Sequence, residues 1–410
     1  MRENIAPCKV RVASETGRLR AVLLHKPGIE IERMTPLNAA EAQYSDILYK
    51  DNVDHEYGLF RGVLERWTQV YYVEDLLAET LKDPAWRDKL IREAVPDEPE
   101  LIDHFQSMNE GELARLLIEG YEDPEWDGRS EDRFLFNPLY NLFFTRDASS
   151  TVFDRVLLNS MSFEARQRET AVFESIFQRF FGVKTLNAMA WNRDARTEGG
   201  DVQIAAPDTL CIGKGIRTNS RGIEYLTKTF ARARETFHIM VQELPWTPES
   251  FIHLDMVFTF LGRHQCMTFE PMLKKQGLFV GKDTTLIRID HGQVSYHPVE
   301  NILDALRMLG WDMEPLKCGG DDPWIQLREQ WHSGANFFAL DDGRVMGYRR
   351  NKYTLEALDR AGFAVLDAED IVSGKVKMED YGKFVAVFPG FELPRAGGGA
   401  RCMTMPLLRD

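Results

Sequence analysis

Close to its end the chain reads LPRAGGGARCMTMPLLRD (Leu393 to Asp410), which sets Cys402 behind three consecutive glycines and next to Arg401. A backbone without Cβ atoms can fold tightly or let a ligand approach closely. A neighbouring cation favours the thiolate, the reactive form of cysteine. Cys402 is therefore a candidate nucleophile, although cysteine is also commonly buried as a small hydrophobe. Three other segments carry groups that could work with it. NLFFTRD (Asn141 to Asp147) ends in an acid after an arginine and two phenylalanines, and TEGGD (Thr197 to Asp201) puts Glu198 before two glycines and a strand. FIHLD (Phe251 to Asp255), read as a strand, sets Phe251, His253 and Asp255 on one face. Taken singly, each has a structural reading as a turn-capping acid, a turn before a hairpin or a core histidine.

Together Cys402, His253, Glu198, Asp147 and Asp255 form a set with defined chemistry. A thiolate attacks an electrophilic carbon, and an imidazole moves protons to the leaving group and from water. The three carboxylates indicate the electrophile. A carbonyl needs donors for its oxyanion, whereas several acids suit a cationic, planar group with many donors. Guanidinium has five N–H donors, which carboxylates bind in pairs.

The formal net charge of −14 fits a small cationic substrate and argues against a general nucleic-acid or anionic-membrane binder. Five scattered cysteines, with no CxxC pair and no CxxC…HxxxH spacing, indicate neither a disulfide framework nor a zinc site. The N-terminus lacks a signal-like apolar stretch and no run of about 18 apolar residues occurs, so a cytoplasmic, reduced enzyme is expected.

These residues need elements to hold them. The first strong strand is Leu19 to His25, and a second is Gln69 to Val73. From Glu74 to Asp132 apolar residues recur at helical spacing, broken at Asp83–Pro84 and Pro96, which predicts a helical insertion. Beyond residue 133 one pattern recurs: a polar residue opens an apolar strand, at Asp147, Asp201, Asp255, Asn336 and Cys402. Helical stretches are expected between them at Phe163 to Phe181, Arg221 to Phe237 and Val299 to Leu309. Repeats of this length can be built as radially arranged small sheets whose strand openings converge on one axis. A doubly wound α/β sheet is the alternative.

The ordered motifs SETGRLRAVLLHKPG, NLFFTRD, MSFEARQRET, TEGGD, HLDMVF, CGGDD, WHSGANFFAL and GGGARCMTMPL resemble those of the arginine deiminases, within the guanidine-modifying, amidinotransferase-like superfamily. The resemblance runs nearly end to end. It implies a pentein-type, five-bladed α/β propeller at 1–73 and 133–410, with an inserted helical-bundle domain at 74–132. It makes Cys402 the nucleophile and His253 the general acid/base. Glu198 would hold the guanidinium and the His253 proton, Asp147 and Asp255 would clamp the guanidinium nitrogens, and Phe144 would pack on its plane. Arg166, Arg217 and Asn141 would take the substrate α-carboxylate. Some relatives carry an arginine five positions before the cysteine, where this chain has Gly397. The implied reaction is hydrolysis of free L-arginine to L-citrulline and ammonia through a cysteine S-alkylthiouronium, with no metal or organic cofactor. Other guanidine-modifying activities, on agmatine or methylarginine, by amidino transfer or by dihydrolysis to ornithine, are the alternatives. A non-catalytic arginine-binding protein is another. A homo-oligomer is compatible with the acidic helical insertion.

Overall fold

Among the described residues, short strands build five small mixed sheets and one two-stranded antiparallel sheet, Tyr121–Glu122 with Phe134–Phe136. The computed structural model describes residues 5–36, 38–39, 44–130, 133–162 and 166–410. Four sheets begin with a hairpin: Ser149–Val152 with Arg155–Leu158, Val202–Ala206 with Thr209–Lys214, Phe258–Phe260 with Gln265–Thr268, and Phe338–Asp341 with Arg344–Tyr348. In the first three, the chain then crosses over and adds a strand parallel to the second: Thr185–Asn187, Thr236–Glu243 and Glu314–Lys317. Hairpins accept a short turn, whereas a parallel neighbour requires a crossover connection, which explains the helix between them. The fourth sheet departs from this plan, because Phe384–Phe388 lies between Arg344–Tyr348 and Ala364–Asp367 and is parallel to both.

Both chain ends contribute to the fifth sheet. Leu19–Leu24 pairs antiparallel with Met405–Arg409 and parallel with Gln69–Tyr72, after the crossover helix Lys50–Trp67. The polar residues flagged at strand openings therefore all stand just ahead of a strand of these sheets: Asp147, Asp201, Asp255, Asn336 and Cys402.

The expected helices are shorter than the apolar spacing suggests. The stretch predicted from Phe163 forms Gln167–Ser175 and continues as a π-helical turn through Ile176–Phe180; Phe163 itself lies outside the described residues. The helix predicted to reach Phe237 is Ser220–Ala233, because Phe237 belongs to the strand Thr236–Glu243 and pairs with Ile289. The third is Ile302–Met308, begun by Asn301, whose side chain accepts from the Leu303 and Asp304 N–H groups. Val299 instead ends the strand Gln293–Val299.

In the predicted insertion, helices run over Val73–Thr80, Pro84–Ala94, Pro99–Ser107 and Glu110–Glu119. Asp83 caps the second by accepting from the Ala85 and Trp86 N–H groups, and Pro84 fills its first position, where no N–H is needed. Residues 131 and 132, at the predicted end of the insertion, lie outside the described residues. These helices are not packed separately from the sheets. Leu76, Leu77, Ile91, Phe105, Leu117 and Ile118 share one buried cluster with Ala21, Leu23, Phe173, Phe177 and Leu407.

Such shared burial makes a specific demand. Leu77→Ala, which empties a fully buried site, should cost about 2–5 kcal/mol. Urea unfolding followed by circular dichroism and by tryptophan fluorescence should give one shifted transition by both probes.

Candidate active site

Glu198 and His253 have nearly the same backbone conformation, with φ/ψ of −131/145 and −132/157, and each leads into a short 3₁₀ helix, Gly199–Asp201 and Leu254–Met256. This corrects the strand reading of FIHLD. His253 is extended, but Asp255 lies inside the helical turn and the strand starts only at Phe258. The turn is fixed because the Leu254 N–H donates to Asp201 Oδ1 at 2.9 Å. His253 and Asp255 therefore converge by folding of the chain and not by strand alternation. Gly200 lets this happen: a Cβ there would lie 2.4 Å from His253 Nδ1.

The two residues Glu198 and His253 meet at their side chains. His253 Nε2 is 3.0 Å from Glu198 Oε2, and its Nδ1 is 3.9 Å from Asp147 Oδ1. Arg217 donates to the same Glu198 oxygen at 3.0 Å, and the Ser162 N–H donates to the other, also at 3.0 Å. Burial opposes charge on Glu198, but Arg217 and His253 outweigh it and hold this acid below the usual carboxylate range. Burial likewise opposes a charged His253, yet Asp147 and the Glu198 hydrogen bond raise it to about 9. The imidazole is thus an imidazolium at neutral pH.

Cys402 Sγ lies 3.9 and 3.7 Å from the two Asp255 oxygens and 3.2 Å from Asn336 Nδ2. Burial, then Asp255 and Asp147, push the thiol well above its ordinary value, against the Gly399 backbone N–H and Arg401. The neighbouring arginine thus leaves a thiol in the free protein. Its guanidinium turns inward, forking onto Glu15 at 3.1 and 3.0 Å and donating to Asp255 Oδ2 at 2.9 Å and to the Val202 carbonyl at 2.7 Å.

A cavity of about 200 Å³ opens onto these groups. Asn141, Phe144, Asp147, Arg166, Arg217, His253 and Cys402 line it, with Trp246, Trp331 and Gly397 also in its wall. Glu198 and Asp255 are absent from that lining and fully buried, behind His253 and Cys402 respectively. Arg166 donates to Asp147 Oδ2 at 3.0 Å and forks onto Glu169 at 2.9 Å to each oxygen. Gly398 faces Phe144 so closely that a Cβ would lie 2.4 Å from the ring, while Gly397 takes a left-handed φ of 90°. The terminal glycines thus admit an aromatic wall beside the sulfur. Among the described residues, no group of three or more His, Cys, Asp or Glu side chains could hold a metal ion.

Four partners of this site do not stand out as site residues in the sequence. Asn336 and Asp201 are visible there as polar residues at strand openings. Glu15 and Glu169 give no comparable signal, since their roles depend on arginines distant in sequence or hidden within a helix start.

A family model described as arginine deiminase matches residues 42–409. The chain is 30% identical to an arginine deiminase of Listeria welshimeri and 31% identical to one of Latilactobacillus sakei, each alignment covering 98% of both chains. Among solved structures it resembles SxtG, an amidinotransferase from Microseira wollei, with a TM-score of 0.53 at 16% identity over 98% of each chain. It also resembles a DDAH from Pseudomonas aeruginosa complexed with citrulline, with a TM-score of 0.52 at 12% identity, covering 95% of this chain and 99% of that one. These likenesses show a shared α/β fold of mixed sheets.

The geometry makes two predictions. Because the His253 pKa is raised in the folded state, its contribution to stability is full below about pH 6.5 and is lost as pH rises through about 9. Urea denaturation at pH 6 and pH 9.5 should show a pH-dependent loss that shrinks in His253→Asn, by up to about 3 kcal/mol. Gly398→Ala should displace the Phe144 wall and weaken occupancy of the cavity at least about tenfold, the cost of a small steric insertion into a packed site. Isothermal calorimetry with L-arginine on a Cys402→Ser background measures this.

Proposed function

The chain belongs to the arginine deiminase family, as a hydrolase acting on the C–N bond of arginine's amidine, and from that premise we propose how its residues divide the work. The observation that carries the reading is a single cavity whose lining includes both Cys402, His253 and Asp147 and the polar set Arg166, Arg217 and Asn141. Such a cavity complements both ends of free L-arginine. The guanidinium enters beside Asp147 and packs on Phe144, and the α-carboxylate meets the arginines and Asn141. Asp255 completes the negative surroundings from behind the sulfur, and Glu198 does so from behind the imidazole.

The bound guanidinium supplies the cation that the free site lacks next to Cys402, so the thiolate becomes easier to form. The thiol proton passes to Asp255, the nearest carboxylate. Sγ then bonds to the guanidinium carbon as the C=N electron pair moves to nitrogen. His253, protonated in the free protein, gives its proton to the departing nitrogen. The C–N bond breaks, ammonia leaves, and an S-alkylthiouronium on Cys402 remains. Neutral His253 next takes a proton from water, whose oxygen bonds to the same carbon. Breakage of C–S returns the electron pair to sulfur, which retakes the proton held by Asp255, and the remaining hydroxyl proton passes to solvent, giving L-citrulline with His253 again protonated.

We also infer that the five sheets are blades around one axis, with the four helices from Val73 to Glu119 inserted after the first blade's parallel strand. The shared hairpin-plus-parallel-strand plan and the sheet joining both chain ends support this. A cytoplasmic location suits a nucleophilic thiol, which needs a reducing compartment.

Purified protein incubated with L-arginine should release citrulline and ammonia in equal amounts. Cys402→Ser should reduce turnover by at least about 10³-fold, as expected when a covalent nucleophile is removed. Ornithine in place of citrulline would indicate a dihydrolase. Turnover of agmatine with none of arginine would contradict the carboxylate assignment.

A further inference from the structure

Beyond the five groups of the proposed chemistry, one more side chain touches the reacting atom. Asn336 stands at the opening of the strand Phe338–Asp341, on a different sheet from Cys402, and is almost fully buried. Its Nδ2 lies 3.2 Å from Cys402 Sγ and also 3.2 Å from the Asp255 backbone carbonyl. Its Oδ1 accepts the Arg401 N–H at 2.8 Å. These partners fix which end of the amide faces the sulfur. With Oδ1 satisfied by a backbone donor and Nδ2 on a carbonyl, reversing the amide would set oxygen against oxygen and N–H against N–H. The chain leaves room for this arrangement: at Gly399 a Cβ would lie 2.6 Å from Asn336 Oδ1.

The surroundings of Sγ make a donor valuable. Asp255 faces it from the turn Leu254–Met256, and Asp147 from the loop ahead of Ser149–Val152. His253 shares the cavity wall. From the sulfur's own loop come the Gly399 backbone N–H and the more distant charge of Arg401. Two acids thus oppose negative charge on sulfur, and neutral N–H donors can favour it without competing for the carboxylates.

We propose that Asn336 is a further catalytic residue, whose amide N–H donates to the Cys402 sulfur whenever it carries negative charge, before attack and again on expulsion from carbon. This rests on Cys402 as the nucleophile. A hydrogen bond to the charged form of a group favours that form, so the same contact lowers the cost of attack and improves the leaving group. It also aims Sγ, because the amide is held by Arg401 and Asp255 backbone atoms and cannot follow the sulfur elsewhere.

The test is the rate of Cys402 alkylation by iodoacetamide across pH, with kcat and KM for L-arginine, in wild type, Asn336→Ala and Asn336→Asp. Losing the donor in Asn336→Ala should slow alkylation below the thiol pKa by about tenfold, as expected when the thiol becomes ten times less acidic. It should lower kcat at least as much and leave KM within about threefold. Asn336→Asp keeps an acceptor for the Arg401 N–H but puts an oxygen on the sulfur, so it should be slower than Asn336→Ala in both assays. An unchanged alkylation profile in both variants, or Asn336→Asp alkylating as fast as wild type, would overturn the proposal. The alkylation comparison needs no turnover of arginine. Absence of citrulline from wild type would therefore count against the deiminase chemistry while the Asn336 contact was still being judged.

Discussion

A buried guanidinium holds the centre of this molecule together. Arg401 is only 1% exposed, and its donors reach Glu15, Asp255 and the Val202 carbonyl, while its backbone N–H reaches Asn336 and its carbonyl faces Arg146 Nε at 3.4 Å. Those partners come from the approach to Leu19–Leu24 and from the openings of the other four sheets. Burying such a charge costs several kcal/mol unless it is paired and hydrogen-bonded, and here nearly the whole fork is used. Lysine could not replace it, having no planar fork to span two carboxylates and a carbonyl at once. The neighbouring charges respond to it. Glu15, despite its burial, is held at about 2 by Arg401 and Arg146, while burial and then repulsion from Arg401 push Arg146 down to about 9.

The consequence for chemistry follows from where this charge is directed. Arg401 sits next to Cys402 in sequence, yet its charge is committed to Glu15 and Asp255 and leaves the thiol protonated in the free protein. The cavity side of the sulfur faces acids and an imidazolium held by acids. In the proposed mechanism a cationic planar substrate fills the gap in this charge pattern, and the thiolate of Cys402 forms more easily when that substrate is present. Preorganised charge of this kind acts with little reorganisation at the moment of reaction. It also favours free arginine over neutral ureas, which bring no charge to offset the carboxylates.

Much of this arrangement is legible in the sequence because its parts sit at strand openings. Asp147, Asp201, Asp255, Asn336 and Cys402 each precede a strand, and side-chain contacts such as those of Asp255 and Asn336 with Cys402 bring these positions together. The glycines are legible for the same reason: Gly200 and Gly398 flank His253 and Phe144 where a Cβ would not fit. What cannot be read is local geometry governed by distant partners. His253 and Asp255 have the spacing of same-face strand residues, but a hydrogen bond from Leu254 to Asp201, 53 positions earlier, winds that stretch into a 3₁₀ turn. Arg401 resembles a promoter of the thiolate as long as only its sequence neighbour is visible; Glu15, 386 positions away, decides where its charge goes. Helix ends are overextended for a related reason, since Phe237 satisfies a helical spacing as well as the strand pairing it adopts.

The central claim, that Cys402 forms a covalent bond to the guanidinium carbon during turnover, is tested most directly by acid-quenching the protein with saturating L-arginine within the first turnover and mapping the digest by mass spectrometry. In a His253→Ala variant, which lacks the proposed proton donor to the departing nitrogen and activator of water, the adduct should both form and discharge more slowly. The account predicts that the peptide containing Cys402 gains the mass of arginine less ammonia, on that residue alone. Citrulline accumulating while Cys402 stays unmodified at every quench time in both proteins would contradict it.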